Sequence, residues 1–460
     1  MFLSRIVSDE FGNFNNFVER KYVLSDVAFT RKGKLSLESM IKYPLCNNKK
    51  TTSIEINRFL RNELNDRGVR ITKQAVSEKR QFIDPQVYID MNDSLISKIY
   101  AHKDEMTTFK GFNVNAIDGS IVEIPNTKLT REEFEIPEKT ELMKDTSTAR
   151  ISCMADTKWD FIISSNITNK STSEIEHALM HLDDAKNKID LTKTITTYDR
   201  FYNSIEIMFK TMLLDSYFII RGKTHTFKKQ QNKMKKEGKT DETHEINIKK
   251  AQINNFFTEE VKKFARKTRE IKVRIVFVKL KTGETETLFT NLPKEIATPE
   301  ELKELYGTRW TIEKNYDRLK NKLHIEKFTG KKKIIIEQDF YSHIYLLNIL
   351  IALKHDAEEE ITRKPKETTK YKYVYKSNVN TLIGNIKEEM PRLLTDDKEE
   401  IKQIVEEILD IARKDLVYTK IKAPTNKERD KKKYYHKKCK SNIQNLSLIH
   451  ISEPTRLRCI

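Results

Sequence analysis

The spacing of apolar and polar positions divides the chain into helical ends around a mixed α/β middle. Up to about residue 105 the apolar residues recur at helical spacing. Within 106–223, short strand-like runs alternate with amphipathic helices, and the helical pattern of 297–360 returns to the same predicted α/β core. Between these parts, 224–296 begins with a polar, charged segment and continues with a helix and a strand hairpin. This interval is predicted to be an inserted, partly β domain.

The C-terminal part is predicted to be helical over 361–446, with two amphipathic helices and a basic tail. The two helices either pack within the chain or form an interface. Residues 447–460 lose the Lys-rich composition and fit no element. They resemble the translated read-through of a sequencing-library adapter, so we treat them as a possible non-native tail.

A helix-turn-helix is predicted at 53–83 in the helical N-terminal part. The segment SIEINRFLRNEL reads as one helix, a turn containing Gly68 follows, and ITKQAVSEKRQFI reads as a second helix. Thr, Gln and Ser can contact bases or phosphates, and Lys and Arg bind phosphates. The alternative is an ordinary α-hairpin with a charged surface. The candidate DNA-recognition residues are Thr72, Lys73, Gln74, Ser77, Lys79 and Arg80.

Charge points to a polyanionic partner, since 86 Lys and Arg residues against 68 Asp and Glu residues give a formal net charge of +18. DNA, RNA and an acidic membrane surface all remain open on charge alone. The longest apolar stretch, 345–353, is too short to cross a bilayer, and the first residues lack a secretory signal. The four cysteines form no C-x-x-C pair, which argues against a zinc module and a disulfide framework. These features predict a cytoplasmic protein.

The segment ELYGTRWTIEKNYDRLKNKL holds the most specific pattern. Tyr306, Arg309, Glu313 and Lys320 are separated by two, three and six residues, a spacing that places all four on one helical face. A carboxylate that binds a metal ion, beside cations that bind phosphates, would give this face. The alternative is a solvated face with ordinary ion pairs.

Two aspartates upstream stand next to strand-like runs. Asp118 interrupts an apolar run at Asp-Gly-Ser, where it lies either on a strand or in a hairpin turn. Asp199 follows a Thr/Ile run and precedes a helical pattern. This pattern places it at the C-terminal end of a strand, where open α/β sheets bind their ligands. Its alternative role is a helix cap. With Glu313, three separated carboxylates suit two-metal phosphoryl transfer.

These motifs resemble those of the bacterial DDE transposases of insertion sequence family four. The Tyr-Arg-Glu-Lys spacing matches that group's signature, and its first catalytic aspartate stands in a similar Asp-Gly-Ser setting. Asp199-Arg200 resembles the group's Asp-Arg-Gly-Tyr-Pro-Ser, although Phe201 replaces the glycine and Asn203 the proline. Residues 337–341 also resemble the segment that follows the catalytic glutamate.

The resemblance implies an RNase H-like core with an insertion domain and an N-terminal region that binds the element's ends. It implies that Asp118, Asp199 and Glu313 are the catalytic metal ligands for two Mg²⁺ ions, which Mn²⁺ can replace. It further implies that Arg200, Tyr306, Arg309 and Lys320 bind DNA phosphates. Relatives hold a flipped base with an aromatic residue of the insertion, but 224–296 contains no Trp, so this role is not assigned.

The activity implied is cut-and-paste transposition through a hairpin intermediate, on terminal inverted repeats and target DNA, by a nucleoid-associated protein that forms a homodimer on DNA. Two alternatives remain open: an RNase H-like nuclease without strand transfer, and an inactive remnant that only binds DNA. A nuclease would need neither the insertion nor the end-recognition region. A remnant would bind DNA without cutting it.

Overall fold

A computed structural model of the chain describes residues 2–31, 33–63, 68, 70–137, 146–280, 283–363 and 373–420. One compact unit comprises Met1–Thr369 and Tyr375–Val417. A second comprises Lys370–Val374 and Tyr418–Ile460, and most of it lies outside the described residues. The predicted basic tail, the possible non-native tail and most of the helix-turn-helix turn also lie outside them.

The N-terminal region is helical, as its apolar spacing predicts. Its helices are α1 (Phe2–Phe11), α2 (Leu37–Leu45), α3 (Thr52–Glu63), α4 (Lys73–Arg80) and α5 (Gln86–Ala101). The predicted helix-turn-helix corresponds to α3 and α4, which contact each other. Thr72 caps α4, because its side chain accepts a hydrogen bond from the Ala75 N–H at 3.2 Å.

A mixed sheet forms the middle of the chain and confirms the predicted α/β class. In sheet order its strands run β3-β2-β1-β4-β5-β8-β7-β6. The pairs β1–β4 and β4–β5 are parallel, and the other neighbouring pairs are antiparallel. The strands are β1 (Asn113–Ile124), β2 (Ser147–Asp156), β3 (Ile162–Thr168), β4 (Thr194–Tyr198), β5 (Tyr217–Arg221), β6 (Asp241–Asn247), β7 (Glu270–Lys279) and β8 (Thr285–Thr290).

Helices connect these strands along the chain. Helix α7 packs on β2 and β3, and α8 packs on α7 and α11. A capping box begins α7, since the Ser173 hydroxyl accepts from the Glu176 N–H while the Glu176 carboxylate accepts from the Ser173 N–H. The connecting helices are α6 (Lys128–Glu133), α7 (Glu174–Ala185), α8 (Ile205–Leu213), α9 (Lys228–Lys236), α10 (Lys250–Asn254) and α11 (Glu259–Thr268).

The predicted insertion, 224–296, extends the main sheet. Its strand β8 pairs with β5 of the core, with Ile220 opposite Phe289. Gly222 allows this close approach, because a Cβ there would lie 2.8 Å from the Phe289 ring. All of 224–296 belongs to the first compact unit. The interval joins the core sheet because β8 forms hydrogen bonds with β5.

Beyond the sheet the chain is again mainly helical. Its elements are α12 (Pro299–Gly307), α13 (Thr311–Asp317), α14 (Lys333–Arg363), β9 (Tyr373–Ser377), α15 (Val379–Leu393), α16 (Lys398–Lys414) and β10 (Leu416–Lys420). Strands β9 and β10 form a two-stranded sheet of their own. Within the described residues, no helix is long and apolar enough to span a bilayer.

The stretch from Pro299 to Leu323, which contains Tyr306, Arg309, Glu313 and Lys320, is helical but irregular. Pro299 occupies its first turn, and a capping box between Thr298 and Glu301 begins it. A 3₁₀ turn, Thr308–Trp310, follows α12, and a π-helical segment, Arg318–Lys322, follows α13. Such irregular turns rotate the side chains that follow them relative to a regular α-helix.

Helix α14 packs against N-terminal helices, a C-terminal helix and the sheet. It packs against α1, α2, α5 and α16 and against strand β3. One hydrophobic cluster therefore includes residues of the N-terminal helices, the sheet and the C-terminal helices. The N-terminal region shares this core rather than having a core of its own.

Candidate functional site

Asp118 and Asp199 are brought together by the parallel pairing of β1 and β4. The register aligns Ile117 with Tyr198, and an aspartate comes next along the chain after each of them. Asp118 lies inside an unbroken strand, opposite Cys153 of β2, so its Asp-Gly pair forms no hairpin turn. Asp199 follows β4, and its Oδ1 accepts a hydrogen bond from the Phe201 N–H at 2.7 Å.

Glu313 reaches the same place from α13, which packs on β1. Arg309 links it to the first aspartate. The Arg309 Nη1 lies 3.3 Å from the Asp118 Oδ2, and its Nη2 lies 3.9 Å from the Glu313 Oε1. Only 9% of the Arg309 side chain is exposed, against 45% of the Glu313 side chain. A buried cation therefore lies between two carboxylates that are distant in sequence.

The pKa of Asp118 is affected by the charges of the other two acids. The pKa of Asp118 is raised to about 6, mainly by burial and in smaller part by the charges of Asp199 and Glu313, although Arg309 and the Gly119 N–H oppose the rise. A raised pKa means that the surroundings of the carboxyl group do not fully stabilise its negatively charged form. An additional cation at this point would stabilise its carboxylate form.

The donor set fits a hard divalent cation by its chemistry. Carboxylate oxygens are the ligands that Mg²⁺ and Mn²⁺ prefer. In the part of the chain that the structure describes, no three His, Cys, Asp or Glu side chains already stand at metal-ligating distances. Arg309 instead supplies the positive charge between Asp118 and Glu313. The geometry thus brings the three acids near one another without forming a closed ligand shell.

The predicted phosphate-binding residues differ in their access to solvent. Tyr306 is buried, with the Arg309 guanidinium 5.9 Å from the centre of its ring. Lys320 is half-buried, and its Nζ donates to the Ser120 Oγ at 2.8 Å and to the Ile121 carbonyl at 2.7 Å. Arg200 is exposed next to Asp199. The Tyr-Arg-Glu-Lys face is therefore turned largely towards β1 rather than towards open solvent.

Three residues near Asp118 were missed by the sequence reasoning. The Tyr316 hydroxyl donates to the Asp118 carbonyl at 2.6 Å, and the Ser152 hydroxyl donates to the same oxygen at 3.1 Å. His181 in turn lies 2.9 Å from the Ser152 Oγ. Tyr316 could have been found, because it lies three residues after Glu313 on the same helical face. Ser152 and His181 carried no such signal, since only strand pairing and helix packing bring them here.

The predicted DNA-recognition residues on α4 are only partly accessible. Thr72, Lys73 and Gln74 are exposed at its beginning, whereas Ser77 and Lys79 are half-buried. The Lys79 ammonium lies 5.2 Å from the centre of the Phe29 ring. The N-terminal turn of α4 is thus its most open part.

Arg80 requires a correction, because its side chain lies in the interior. It is 1% exposed, and its Nη2 lies 2.9 Å from the Asp339 Oδ1. Its Nε donates to the Gln338 Oε1 at 3.0 Å. A guanidinium engaged in this way is not available to DNA. The sequence could not reveal this, since the partners lie on α14, far along the chain.

The chain is similar to known transposases in sequence and in structure. The family described as "Transposase DDE domain" matches residues 110–349, an interval that contains Asp118, Asp199 and Glu313. No curated protein matches the chain. Among solved structures, the chain is similar to a cryo-EM structure of the piggyBac transposase synaptic complex with hairpin DNA. That similarity has a TM-score of 0.41 and 10% sequence identity, and it covers 88% of this chain and 85% of the other.

The family match spans just over half of the 460 residues. It also includes Asp118 on β1, Asp199 directly after β4, and Glu313, which Arg309 links to Asp118. The chain is therefore a transposase that belongs to the family of the DDE domain.

Proposed function

We propose that the chain is a cut-and-paste DNA transposase of insertion sequence family four, with an RNase H-like catalytic core. The observation that carries the proposal is the meeting of Asp118, Asp199 and Glu313. The first two follow aligned positions of parallel strands, and Arg309 contacts both Asp118 and Glu313. The Tyr-Arg-Glu-Lys spacing within the matched interval supports assignment to this group of transposases.

The three acids would hold two Mg²⁺ ions, which Mn²⁺ could replace. Bound there, the ions would stabilise the attacking and leaving oxygens of an in-line displacement at phosphorus. The raised pKa of Asp118 supports this assignment, because burial and the two neighbouring carboxylates leave its negative charge under-compensated. Within the same site, Arg309 would exchange its contacts with Asp118 and Glu313 for a DNA phosphate.

The remaining cations would hold the DNA strand in place for the reaction. Arg200 is exposed beside Asp199, and Lys320 anchors the far end of the helical stretch to β1 through Ser120. Tyr306 supports Arg309 from beneath. Oriented guanidinium and ammonium groups contribute by fixing the phosphate against the carboxylates, which lowers the entropic part of the barrier.

The reaction consists of two displacements at phosphorus. In the first, water forms a bond to phosphorus, the P–O3′ bond breaks, and the 3′ oxygen leaves as a hydroxyl after taking a proton. In the second, this 3′-hydroxyl attacks another phosphodiester and loses its proton, while a new 3′ oxygen leaves. Attack on the opposite strand would give the hairpin intermediate, and attack on target DNA would complete strand transfer.

Recognition of the terminal inverted repeats would involve the open end of α4. Thr72, Lys73 and Gln74 are exposed there, with Ser77 and Lys79 at its side, and Arg80 is excluded by its burial. A basic chain gains DNA affinity by releasing counterions from the phosphates. We further propose that the protein acts as a homodimer on DNA, and in the bacterial cytoplasm at the nucleoid.

The test is cleavage of a duplex that carries the repeat flanking the gene, in the presence of Mg²⁺. The intact chain is compared with Glu313→Gln and with Glu304→Gln, a matched control at an exposed position of α12. We expect nicked and hairpin products from the intact chain and from the control, and binding without cleavage by Glu313→Gln. Cleavage by Glu313→Gln at the normal rate would refute the site.

The same assay separates the alternatives. A nuclease without strand transfer would cut DNA with or without the repeat and would join no ends to a target plasmid. An inactive remnant would bind the repeat, but neither the intact chain nor the variants would cut it.

A further inference from the structure

Among the described residues, the Tyr316 side chain forms a hydrogen bond from α13 to the main chain of Asp118. Its hydroxyl donates to the Asp118 carbonyl at 2.6 Å, and its side chain is buried, with 7% of the residue exposed. Glu313 lies one helical turn earlier on the same helix. The hydrogen bond therefore joins the element that carries the glutamate to the strand that carries the first aspartate.

The carbonyl that accepts this bond is held from a second side. The Ser152 hydroxyl donates to it at 3.1 Å, and the Ser152 Oγ lies 2.9 Å from the His181 Nε2. Strand β1 is also paired with β2 on one side and β4 on the other. Tyr316 thus binds to a fixed point of the sheet, so its hydrogen bond can determine where α13 stands.

The short helix does not set this position by its own regularity. A second hydrogen bond from α13, from the Asn315 Nδ2 to the Asp160 carbonyl at 2.6 Å, goes to the β2–β3 connection and not to the strand of Asp118. Helix α13 spans only Thr311–Asp317, and it lies between a 3₁₀ turn and a π-helical segment. Arg309 also joins the two acids, but its contacts are ionic and compete with those of any phosphate or cation that enters the site. The bond from Tyr316 is between neutral groups, so the arrival of charge at the carboxylates does not displace it.

We propose that Tyr316 is a positioning residue that fixes Glu313 relative to Asp118, so that both carboxylates can bind the same pair of divalent cations. The proposal rests on the proposed function, because it requires Asp118 and Glu313 to be metal ligands. It assigns a role to a residue outside the Tyr-Arg-Glu-Lys pattern. Partners that orient metal ligands typically alter metal affinity or activity by about 10- to 100-fold when they are removed.

The experiment measures Mn²⁺ binding to the full chain without DNA, by isothermal titration calorimetry, for the intact chain and for Tyr316→Phe. Phenylalanine keeps the ring and removes only the hydroxyl, so the packing around it is retained. We expect Mn²⁺ affinity to fall about 10-fold or more. Urea unfolding of each variant is recorded in parallel to confirm that it is folded.

The matched control is Tyr88→Phe. Tyr88 is also buried, and its hydroxyl also donates to a main-chain carbonyl, that of Ile41, at 3.0 Å, but it lies on α5. A purely structural effect of losing a buried tyrosine hydroxyl would be common to both variants. We expect both to lose similar stability and only Tyr316→Phe to lose Mn²⁺ affinity. Equal Mn²⁺ affinities of Tyr316→Phe and the intact chain, or equal losses in both variants, would overturn the proposal.

Glu313→Gln distinguishes failure of this proposal from failure of the proposed function. If Glu313→Gln weakens Mn²⁺ binding and Tyr316→Phe does not, the metal site stands and the positioning role is wrong. If Glu313→Gln leaves Mn²⁺ binding unchanged, Glu313 is not a ligand, and both proposals are wrong.

Discussion

Replacing Arg80 with Met tests whether this residue supports the fold rather than DNA binding. The Arg80 side chain is buried and donates to Asp339, Gln338 and Thr329, the last through Nη1 to the Thr329 Oγ1 at 2.6 Å. Methionine fills a similar volume without charge. The variant therefore removes the pairing and leaves most of the packing between α4 and α14.

The expected loss of stability follows from what remains around Asp339. Removing one partner of a buried ion pair costs about 3–5 kcal/mol, since it leaves an uncompensated charge in the interior. Thr329 continues to donate to the Asp339 carboxylate, through its N–H at 2.6 Å and its hydroxyl at 2.8 Å. We therefore expect a loss at the lower end, about 3 kcal/mol. Domains are typically stable by about 5–15 kcal/mol, so the variant should fold but unfold much earlier.

Urea unfolding followed by circular dichroism measures this loss, with Lys73→Met as the control. Lys73 is an exposed cation on the same helix, and its replacement should change stability by no more than about 0.5 kcal/mol. DNA binding is measured under conditions where both variants are folded, and we expect it to fall only for Lys73→Met. Normal stability of Arg80→Met together with lost DNA binding would refute our interpretation of Arg80.

The pH dependence of stability gives an independent check on the same pair. Burial raises the pKa of Asp339, but the charges of Arg80 and Lys49 and the hydrogen bonds from Thr329 outweigh it, so the pKa is lowered overall. A carboxyl with a lowered pKa in the folded state stabilises the protein above its unfolded pKa of about 3.9. This contribution is lost as the pH falls below that value. Arg80→Met should therefore lose less stability than the intact chain on acidification.

Three further predictions concern other parts of the chain. Gly222→Ala should lower the free energy of unfolding, measured in urea, by about 1–3 kcal/mol, because the new Cβ would lie 2.8 Å from the Phe289 ring. Unchanged stability would mean that the ring moves aside freely. Burial raises the pKa of the Cys153 thiol to about 12 and also raises that of Cys46. In a chain whose other two cysteines are serine, neither thiol should react with a disulfide reagent until urea unfolds the protein, and fast reaction of the folded protein would contradict their burial. Deleting 447–460 should leave repeat cleavage and thermal stability unchanged, and a large loss of either would show that the segment is native.

Local sequence determined those elements whose signals depend on neighbouring residues. The helical spacing of apolar residues predicted α3, α4, α15 and α16. Helix periodicity and capping arise within one or two turns, so they can be read from a short segment. The three acids could likewise be chosen from their settings and from a resemblance.

Other features depended on contacts between distant segments. At Asp118 the sequence left a strand and a hairpin turn open, because Asp-Gly suits a turn locally. Pairing of β1 with both β2 and β4 decides for a strand. At Asp199 the sequence suggested either the end of a strand or a helix cap. Both descriptions apply, since Asp199 directly follows β4 and also caps a 3₁₀ turn. A ladder of hydrogen bonds along a whole strand outweighs a local turn preference.

The tertiary structure also decided which polar residues face solvent. Arg80 and Lys79 are adjacent cations in the sequence, yet the first is buried against Asp339 and the second is half-exposed beside Phe29. Tyr316 gains its contact with Asp118 in the same way, by packing of α13 on β1. The sequence by itself therefore indicated a DDE transposase, an α/β core and the three candidate acids. The tertiary structure decided which side chains meet them, because burial and partner choice depend on residues far apart in the chain.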